Sequence, residues 1–193
     1  MNRDKLIQFF QNSGKVPFQK AEEIAGCFTS KTVRKNEFLL QTGQVSNENF
    51  FLETGFMRAF ATDTEGNDVT TGFYETNQVV FEVSSFFQRI PSLENIQALT
   101  DCEGWYITFD QLNNLFHTLP EFREFGRGML VRGYAGLKAR MLSMITETAE
   151  ERYEKLVKTR PGILQEAPLK HIASYLGITD TSLSRIRKEL ARK

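Results

Sequence analysis

Long apolar runs are missing from this sequence of 193 residues, and none approaches the roughly 20 residues needed to cross a bilayer, so we expect no contact with a membrane. The N-terminal stretch MNRDKLIQFFQNSGK contains neither a long apolar region nor a small-residue cleavage site, and therefore does not predict a signal peptide. The two cysteines, Cys27 and Cys102, lie far apart. Without a C-x-x-C spacing they offer no metal or iron–sulfur ligand set, and they suit a reducing, cytoplasmic compartment.

Groups for acid–base catalysis are equally scarce, because the sequence has only two histidines. It shows no Ser-His-Asp order, no paired-carboxylate context, no phosphate loop and no metal-ligand spacing. We therefore expect no catalytic residue, no metal and no cofactor, and the sequence does not predict an enzyme.

The formal net charge is zero, but the charges are unevenly placed. From Pro168 to Lys193 there are six basic and two acidic residues, a balance of +4, so the remaining 167 residues carry −4. A basic tail on an acidic body is typical of a protein that meets a polyanion. A solvated helix face would give the same count.

Apolar residues alternate with period two from about Thr32 to Phe109, and the segments NFFLE, FMRAFAT and DVTTGFY are rich in aromatic and β-branched residues. Turn signals recur every 8 to 12 residues, among them Gly43, Gly55, Gly72 and Gly104. This pattern predicts an antiparallel β-sandwich or barrel. Before it, the stretch from Asp4 to Cys27 reads as one or two short helices.

Helical patterns follow, and they predict an α+β chain with three parts: a β-rich region over 1–118, a long helix over 119–146 and a small helical domain over 147–193. Capping boxes at Thr108–Gln111 and Thr148–Glu151 mark two helix starts. The long helix begins at Pro120 and carries apolar residues at spacings of 4, 3, 4 and 3, namely Leu130, Tyr134, Leu137, Met141 and Met144. Such spacing is typical of a coiled-coil seam. A second subunit or the sheet of the same chain would each cover it.

The segment PLKHIASYLGITDTSLSRIRKEL contains two short helical patterns joined at Gly177. Its first helix presents Leu169, Ile172, Ala173 and Leu176 on one face, and its second begins after Thr179 and buries Leu183 and Ile186. A small residue at the helix crossing and a glycine able to adopt the left-handed conformation are the marks of a helix-turn-helix. The segment therefore predicts binding to double-stranded DNA.

Burial of Leu183 and Ile186 assigns the opposite face of the second helix to DNA. Arg185 suits a base contact, because its guanidinium can bond guanine at two points. Asp180 would either accept a hydrogen bond from cytosine or stabilise the helix start. The full predicted DNA-binding set is Lys170, His171, Thr179, Asp180, Thr181, Ser182, Ser184, Arg185 and Lys188.

This order of a β-rich domain, a long helix and a C-terminal helix-turn-helix resembles the Crp/Fnr family of bacterial transcription regulators over nearly the whole chain. The segments VRKNEFLLQTGQVSNENFFLETGFMRAF and NQVVFEVSSFFQRIPSLENIQALTDCEGWYITFDQL are similar to the strands and the phosphate-binding cassette of the family's cyclic nucleotide-binding jelly roll, and IASYLGITDTSLSRIRKEL is the most specific match. The resemblance implies a homodimer joined along the long helix, an effector domain, and RNA polymerase as a further candidate partner.

Two departures from the family pattern stand out. Members that bind cyclic nucleotides use a Gly-Glu pair followed by Arg-Ser or Arg-Thr, whereas this chain has Phe81-Glu82 and then Ser92-Leu93. Cyclic AMP is therefore not expected as the effector. The cassette and its surroundings form either an apolar effector pocket or a filled core, with Phe73, Phe81, Glu82, Arg89, Ser92 and Leu93 as its candidate residues and Phe86 and Phe87 beside them.

The other departure is the absence of a β-hairpin wing around the recognition helix, so phosphate contacts are expected from Arg187, Lys188, Arg192 and Lys193. The leading hypothesis is a dimeric, sequence-specific DNA-binding regulator. The alternative is a small-molecule sensor whose small helical domain over 147–193, called the head below, contacts a protein partner. The basic tail argues against this alternative.

Overall fold

The computed structural model describes residues 2–191. Eight strands form two four-stranded antiparallel sheets, one with the order β1-β8-β3-β6 and the other with the order β2-β7-β4-β5. The strands are β1 (Thr29–Val33), β2 (Phe38–Leu40), β3 (Glu48–Thr54), β4 (Met57–Thr62), β5 (Asp68–Tyr74), β6 (Gln78–Val80), β7 (Asn95–Ala98) and β8 (Cys102–Thr108). The predicted antiparallel sandwich is therefore confirmed.

Nine helices complete the described part of the chain. They are α1 (Asp4–Gln11), α2 (Phe18–Gly26), α3 (Val83–Gln88), α4 (Phe109–Thr118), α5 (Pro120–Thr146), α6 (Ala149–Thr159), α7 (Gly162–Glu166), α8 (Leu169–Tyr175) and α9 (Asp180–Leu190). Within residues 2–191, no helix is both long enough and apolar enough to span a membrane.

Strand β3 shows why the segment NFFLE is almost continuously apolar. Phe50 and Leu52 lie on its inner face, in the core between the two sheets, while Phe51 points outward into a second core. Residues on opposite faces of a strand alternate, so both faces of β3 must be covered. The outer face is covered by α1, α2, α4 and the start of α5, whose apolar side chains share a cluster with Phe51.

Two of the four turn glycines are correctly predicted and two are not. Gly43 and Gly55 have φ angles of 85° and 100°, which only glycine adopts without strain. Gly72 and Gly104 lie inside β5 and β8 instead of at turns. At Gly104 a Cβ atom would lie 2.0 Å from the carbonyl oxygen of Phe51, so this glycine permits a close approach of strands and does not mark a loop.

Both predicted capping boxes are present, with reciprocal hydrogen bonds between Thr108 and Gln111 at α4 and between Thr148 and Glu151 at α6. Helix α5 begins at Pro120, whose missing N–H is harmless in the first turn. Phe122, Phe125 and Gly126 near its start are buried, and so is Ser143 near its end, whereas every residue from Leu130 to Ala139 is exposed. The middle of α5 is therefore uncovered in the single chain.

Candidate nucleic-acid interface

Helices α8 and α9 form the helix-turn-helix that the sequence predicts. Gly177 ends the first helix with a φ angle of 70°, and the Ile178 amide donates to the carbonyl of Ala173 at 3.0 Å, which closes the turn. Ala173 and Leu183 are completely buried where the two helices meet. Leu169 is an exception to the predicted face, because 40% of the residue remains exposed.

The second helix begins as its sequence predicts, with Thr179 as the N-cap. The Thr179 hydroxyl accepts a hydrogen bond from the Ser182 amide at 3.2 Å and donates one to the Ser182 hydroxyl at 3.0 Å. Asp180 lies exposed in the first turn and makes no hydrogen bond to any described residue. At this position Asp180 can serve either predicted role, accepting a hydrogen bond from cytosine or stabilising the helix start.

The outward face of α9 is free to meet another molecule. The exposed side chains on it are Asp180, Thr181, Ser184, Arg185 and Lys188, while Ser182 is half-buried. Among the residues from Asn2 to Ala191, neither Arg185 nor Lys188 has an ion-pair partner. Arg187 and Lys170 are likewise exposed. The predicted phosphate contacts of Arg192 and Lys193 lie outside the described residues.

His171 is buried and does not lie on this face, which corrects its inclusion in the predicted DNA-binding set. Only 8% of the residue is exposed, because α8 packs it against the sheet. Arg58 of β4 donates from its Nη1 atom to the Nδ1 atom of His171 at 2.7 Å, which places the ring proton on Nε2. Burial and the adjacent Arg58 charge lower the pKa of His171 to about 4, so the ring is neutral at pH 7.

Arg58 lies at the centre of the contact between the head (helices α6–α9) and the β-sandwich. Its side chain is 5% exposed, and its Nη2 atom donates to the carboxylate of Asp68 at 2.8 Å. Burial lowers the pKa of the Arg58 guanidinium, and its Nε atom has no hydrogen-bond partner among the described residues. A charged strand residue pointing into the layer between two domains was not recognised from the sequence, although an arginine within FMRAFAT was the available signal.

Further polar contacts join the head to β5. Ser174 of α8 donates to the hydroxyl of Thr70 at 3.0 Å and accepts from the Thr70 amide at 3.2 Å. Arg160, at the end of α6, bonds the carboxylate of Glu75 at 2.8 Å and the carbonyl of Phe73 at 3.0 Å. These bonds fix the position of the helix-turn-helix on the outer face of the second sheet.

An apolar cluster lies between the same two layers, and it corrects the assignment of Phe73. Phe73 stacks on Phe56 and contacts Tyr175 of α8, with ring centroids 5.6 and 5.1 Å apart. It therefore belongs to the core shared with the head and not to a pocket with Phe81. The strand alternates as predicted, but the layer that covers its outer face is the helix-turn-helix.

Glu82 and Phe81, in the segment similar to the phosphate-binding cassette, both contact residues of their own domain. Glu82 caps α3, accepting hydrogen bonds from the amides of Ser84 and Ser85 at 3.0 and 2.5 Å. The carboxylate thus occupies the helix N-terminus, the place where amide groups would otherwise meet an anion. The ring of Phe81 packs against Phe86 and Phe87, at centroid distances of 5.4 and 6.0 Å.

The remaining effector candidates do not converge on one site. Arg89 adopts the left-handed conformation and donates to the carbonyls of Ser46 and Phe86 and to the side chain of Asn47. Ser92 is buried and donates to the carbonyl of Glu94, whereas Leu93 is 84% exposed. Large side chains, among them Phe50, Leu52 and Met57, fill the centre of the core between the sheets. At its edge, an open cleft of about 480 Å³ lies between Lys31 and Glu48 of one sheet and Leu40 and Ile96 of the other.

The predicted seam residues of α5 are exposed in the single chain. The exposed fraction is 70% for Tyr134 and 65% for Leu137, and Leu130, Met141 and Met144 are also exposed. Met144 additionally reaches the helix-turn-helix, since a Cβ atom on Gly177 would lie 2.5 Å from its terminal methyl group. Met144 therefore joins the end of α5 to the head.

Comparison with known proteins agrees with this architecture. Residues 30–118 match the family model described as the cyclic nucleotide-binding domain. The transcriptional activator Anr of Pseudomonas aeruginosa is 24% identical over 168 residues, which cover 81% of this chain and 68% of Anr. The structure of FixK2 from Bradyrhizobium japonicum aligns with a TM-score of 0.74 at 17% identity, covering 86% of this chain and 85% of FixK2.

A Crp/Fnr-family regulator of Eubacterium rectale aligns with a TM-score of 0.72 at 12% identity, covering 95% of this chain and 88% of that protein. The resemblance to the Crp/Fnr regulators that the sequence predicts is confirmed. The named relatives are transcription regulators, and none of these comparisons indicates an enzyme family.

Proposed function

We propose that this chain, which combines a cyclic nucleotide-binding domain over residues 30–118 with the fold of the Crp/Fnr regulators, is a dimeric transcription regulator that reads a specific DNA sequence and does not respond to cyclic AMP. The exposed Arg185, unpaired with any described residue and flanked by the hydroxyls of Thr181 and Ser184, carries this assignment. A cation that no neighbour neutralises, on the outward face of a helix-turn-helix, is suited to a base edge in the major groove.

The exposed middle section of α5, from Leu130 to Ala139, supports a homodimer. An isolated helix whose apolar residues face water is stable only when another surface covers it. A Cβ atom on Gly133 or Gly136 would meet nothing within 4 Å, so no atom of residues 2–191 explains these helix-weakening glycines. A second copy of α5, approaching closely at the glycines, covers the seam and places two α9 helices on half-sites about one helical turn apart.

Two observations argue against cyclic AMP as the effector. The Glu82 carboxylate already occupies the amides at the start of α3, and the Arg89 guanidinium is bonded to backbone carbonyls. A cyclic nucleotide would have to displace the Glu82 carboxylate and redirect the Arg89 side chain. Titration calorimetry with cyclic AMP tests this point, since saturable heat at micromolar ligand would contradict it.

Fluorescence anisotropy with DNA from upstream of the protein's own gene tests the proposed function directly. We expect submicromolar binding at 50 mM salt that weakens about 10³-fold or more at 200 mM, because several phosphate contacts release counterions. An unrelated duplex of equal length and composition is the control. Equal binding to both duplexes, or none to either, would refute a sequence-specific regulator.

The same experiment bears on the alternative, in which the head contacts a protein. A stable protein complex that forms without DNA, together with the absence of duplex binding, would favour that reading. RNA polymerase is a proposed partner only through the role in transcription, and cross-linking on a promoter that carries both proteins tests it.

A further inference from the structure

A small apolar cavity of about 50 Å³ lies outside the sandwich, against the outer face of β3. Its walls come from α1, strands β3 and β6, α4 and the first half of α5, with Phe28 and with Phe87 of α3 at single positions. Side chains that enclose it include Leu6, Phe10, Phe51, Leu112 and Phe125. It is distinct from the cassette positions Glu82, Arg89 and Ser92, although Phe81 reaches its edge.

One polar side chain faces this apolar space. Asn49 of β3 is 9% exposed and lines the cavity, and its side-chain amide makes no hydrogen bond to any residue of the described chain. Its backbone is paired with Ile107 of β8, so the position of the residue is fixed by the sheet. The amide is the one polar side-chain group among the described residues that line the cavity, and a ligand atom that bonds it takes the place of water there.

We propose that the cavity is a binding site for a small, neutral, mainly apolar molecule that carries one hydrogen-bonding group for Asn49. A charged ligand is excluded because none of the described residues that line the space has a charged side chain. The amide offers both a donor and an acceptor, and therefore accepts a hydroxyl, carbonyl or amine. Apolar walls with a single polar group that fixes orientation are typical of sites for small molecules.

The size of the cavity limits the ligand. An apolar cavity of about 150 Å³ accommodates benzene, so the present space holds only part of a ring. Two side chains at its margin can move outward, because Phe87 and Leu130 are 38% and 43% exposed. Their displacement would admit a single ring while leaving the buried walls in place.

The location of the cavity gives a ligand access to α5. Gly126, Met129 and Leu130 of α5 are part of its wall, and Leu130 is the first residue of the seam proposed above. Filling the cavity therefore moves the beginning of the helix that carries the dimer contact. This role as an effector site depends on the proposed function, whereas binding itself does not.

Phenol and toluene are suitable probes, because they have nearly the same shape and differ in the hydroxyl group. Binding to the full chain is measured by titration calorimetry and by the shift in Tm. Asn49→Leu removes the amide and keeps the volume, and Val79→Phe fills the cavity from β6. We expect wild type to prefer phenol about tenfold, Asn49→Leu to lose that preference, and Val79→Phe to bind neither probe.

Saturable binding of neither probe to wild type, an unchanged phenol preference in Asn49→Leu, or full binding in a folded Val79→Phe would each overturn the site. If Val79→Phe fails to fold by circular dichroism, the Asn49→Leu comparison still decides. Saturating phenol is also expected to change the affinity of wild type for DNA by about fivefold or more. Binding without such a change would overturn the effector role alone, and anisotropy without ligand tests DNA binding independently.

Discussion

The contact between Arg58 and His171 predicts a specific pH dependence of stability. The replacement His171→Gln keeps a neutral hydrogen-bonding group beside Arg58 and removes the titration. In the wild type the ring is neutral and buried, with Arg58 on β4, Asp68 on β5, Lys170 on its own helix and Asp180 on α9 as the charged groups around it. Burial is the largest cause of the lowered pKa, and the Arg58 charge is the second.

The sign of this pH effect depends on whether the folded or the unfolded state binds a proton on His171 at the higher pH. An exposed histidine titrates at its ordinary pKa of 6.5, whereas His171 in the folded protein titrates at about 4. As the pH falls below 6.5, the unfolded or undocked state gains a proton that the folded state excludes, so stability is lost between pH 6.5 and about 4. With about 1.4 kcal/mol for each unit of pKa, the loss between pH 7 and pH 5 is about 2 kcal/mol.

Urea unfolding followed by circular dichroism measures this quantity. The free energy of unfolding is determined at pH 7 and pH 5 for the wild type and for His171→Gln, and the change in the variant is subtracted. Other titrating groups cancel in this difference, leaving about 2 kcal/mol from His171. A difference below about 0.5 kcal/mol, or one of opposite sign, would refute the reasoning, because the lowered pKa of His171 requires a larger loss of stability over this pH range.

Three other predictions concern α9 and α5. Arg185→Ala should weaken specific DNA binding by about 1–3 kcal/mol and leave binding to unrelated duplex almost unchanged, while Arg187→Ala weakens both equally; anisotropy on the two duplexes distinguishes them. Leu137→Glu should convert the dimer to a monomer in analytical ultracentrifugation, whereas the neighbouring Lys138→Glu should leave the dimer intact. A Leu137→Glu variant that stays dimeric would show that α5 does not form the dimer contact. Gly126→Ala should lower stability despite the gain of about 1 kcal/mol expected for alanine in a helix, because its Cβ would lie 2.4 Å from the ring of Phe116.

The features that the sequence predicts well are those controlled by neighbouring residues. The capping boxes at Thr108 and Thr148, the left-handed Gly177 and the start of α5 at Pro120 each depend on contacts within a few positions of the chain. The exposed face of α9 was predictable for the same reason, since burial of Leu183 leaves only one face for solvent. Local rules of capping and periodicity are sufficient for such elements.

The effector residues show where this reasoning stops. The sequence groups Phe73 with Phe81 and leaves two readings, a pocket or a filled core. In the structure Phe73 contacts the head, Glu82 caps its own helix and Leu93 points to solvent. Alternation along a strand predicts that a side chain faces outward, but it does not predict which layer covers that face.

The helix-turn-helix shows both what local sequence patterns predict and what depends on tertiary packing. The sequence by itself determined that α8 and α9 pack across Ala173 and that Arg185 faces outward, because spacing within a helix fixes which residues share a side. Only the tertiary structure decided that α8 presses His171 against Arg58, and that Asn49 is left facing an apolar cavity. Residues 113 positions apart meet through the packing of whole layers, whose arrangement no local pattern encodes.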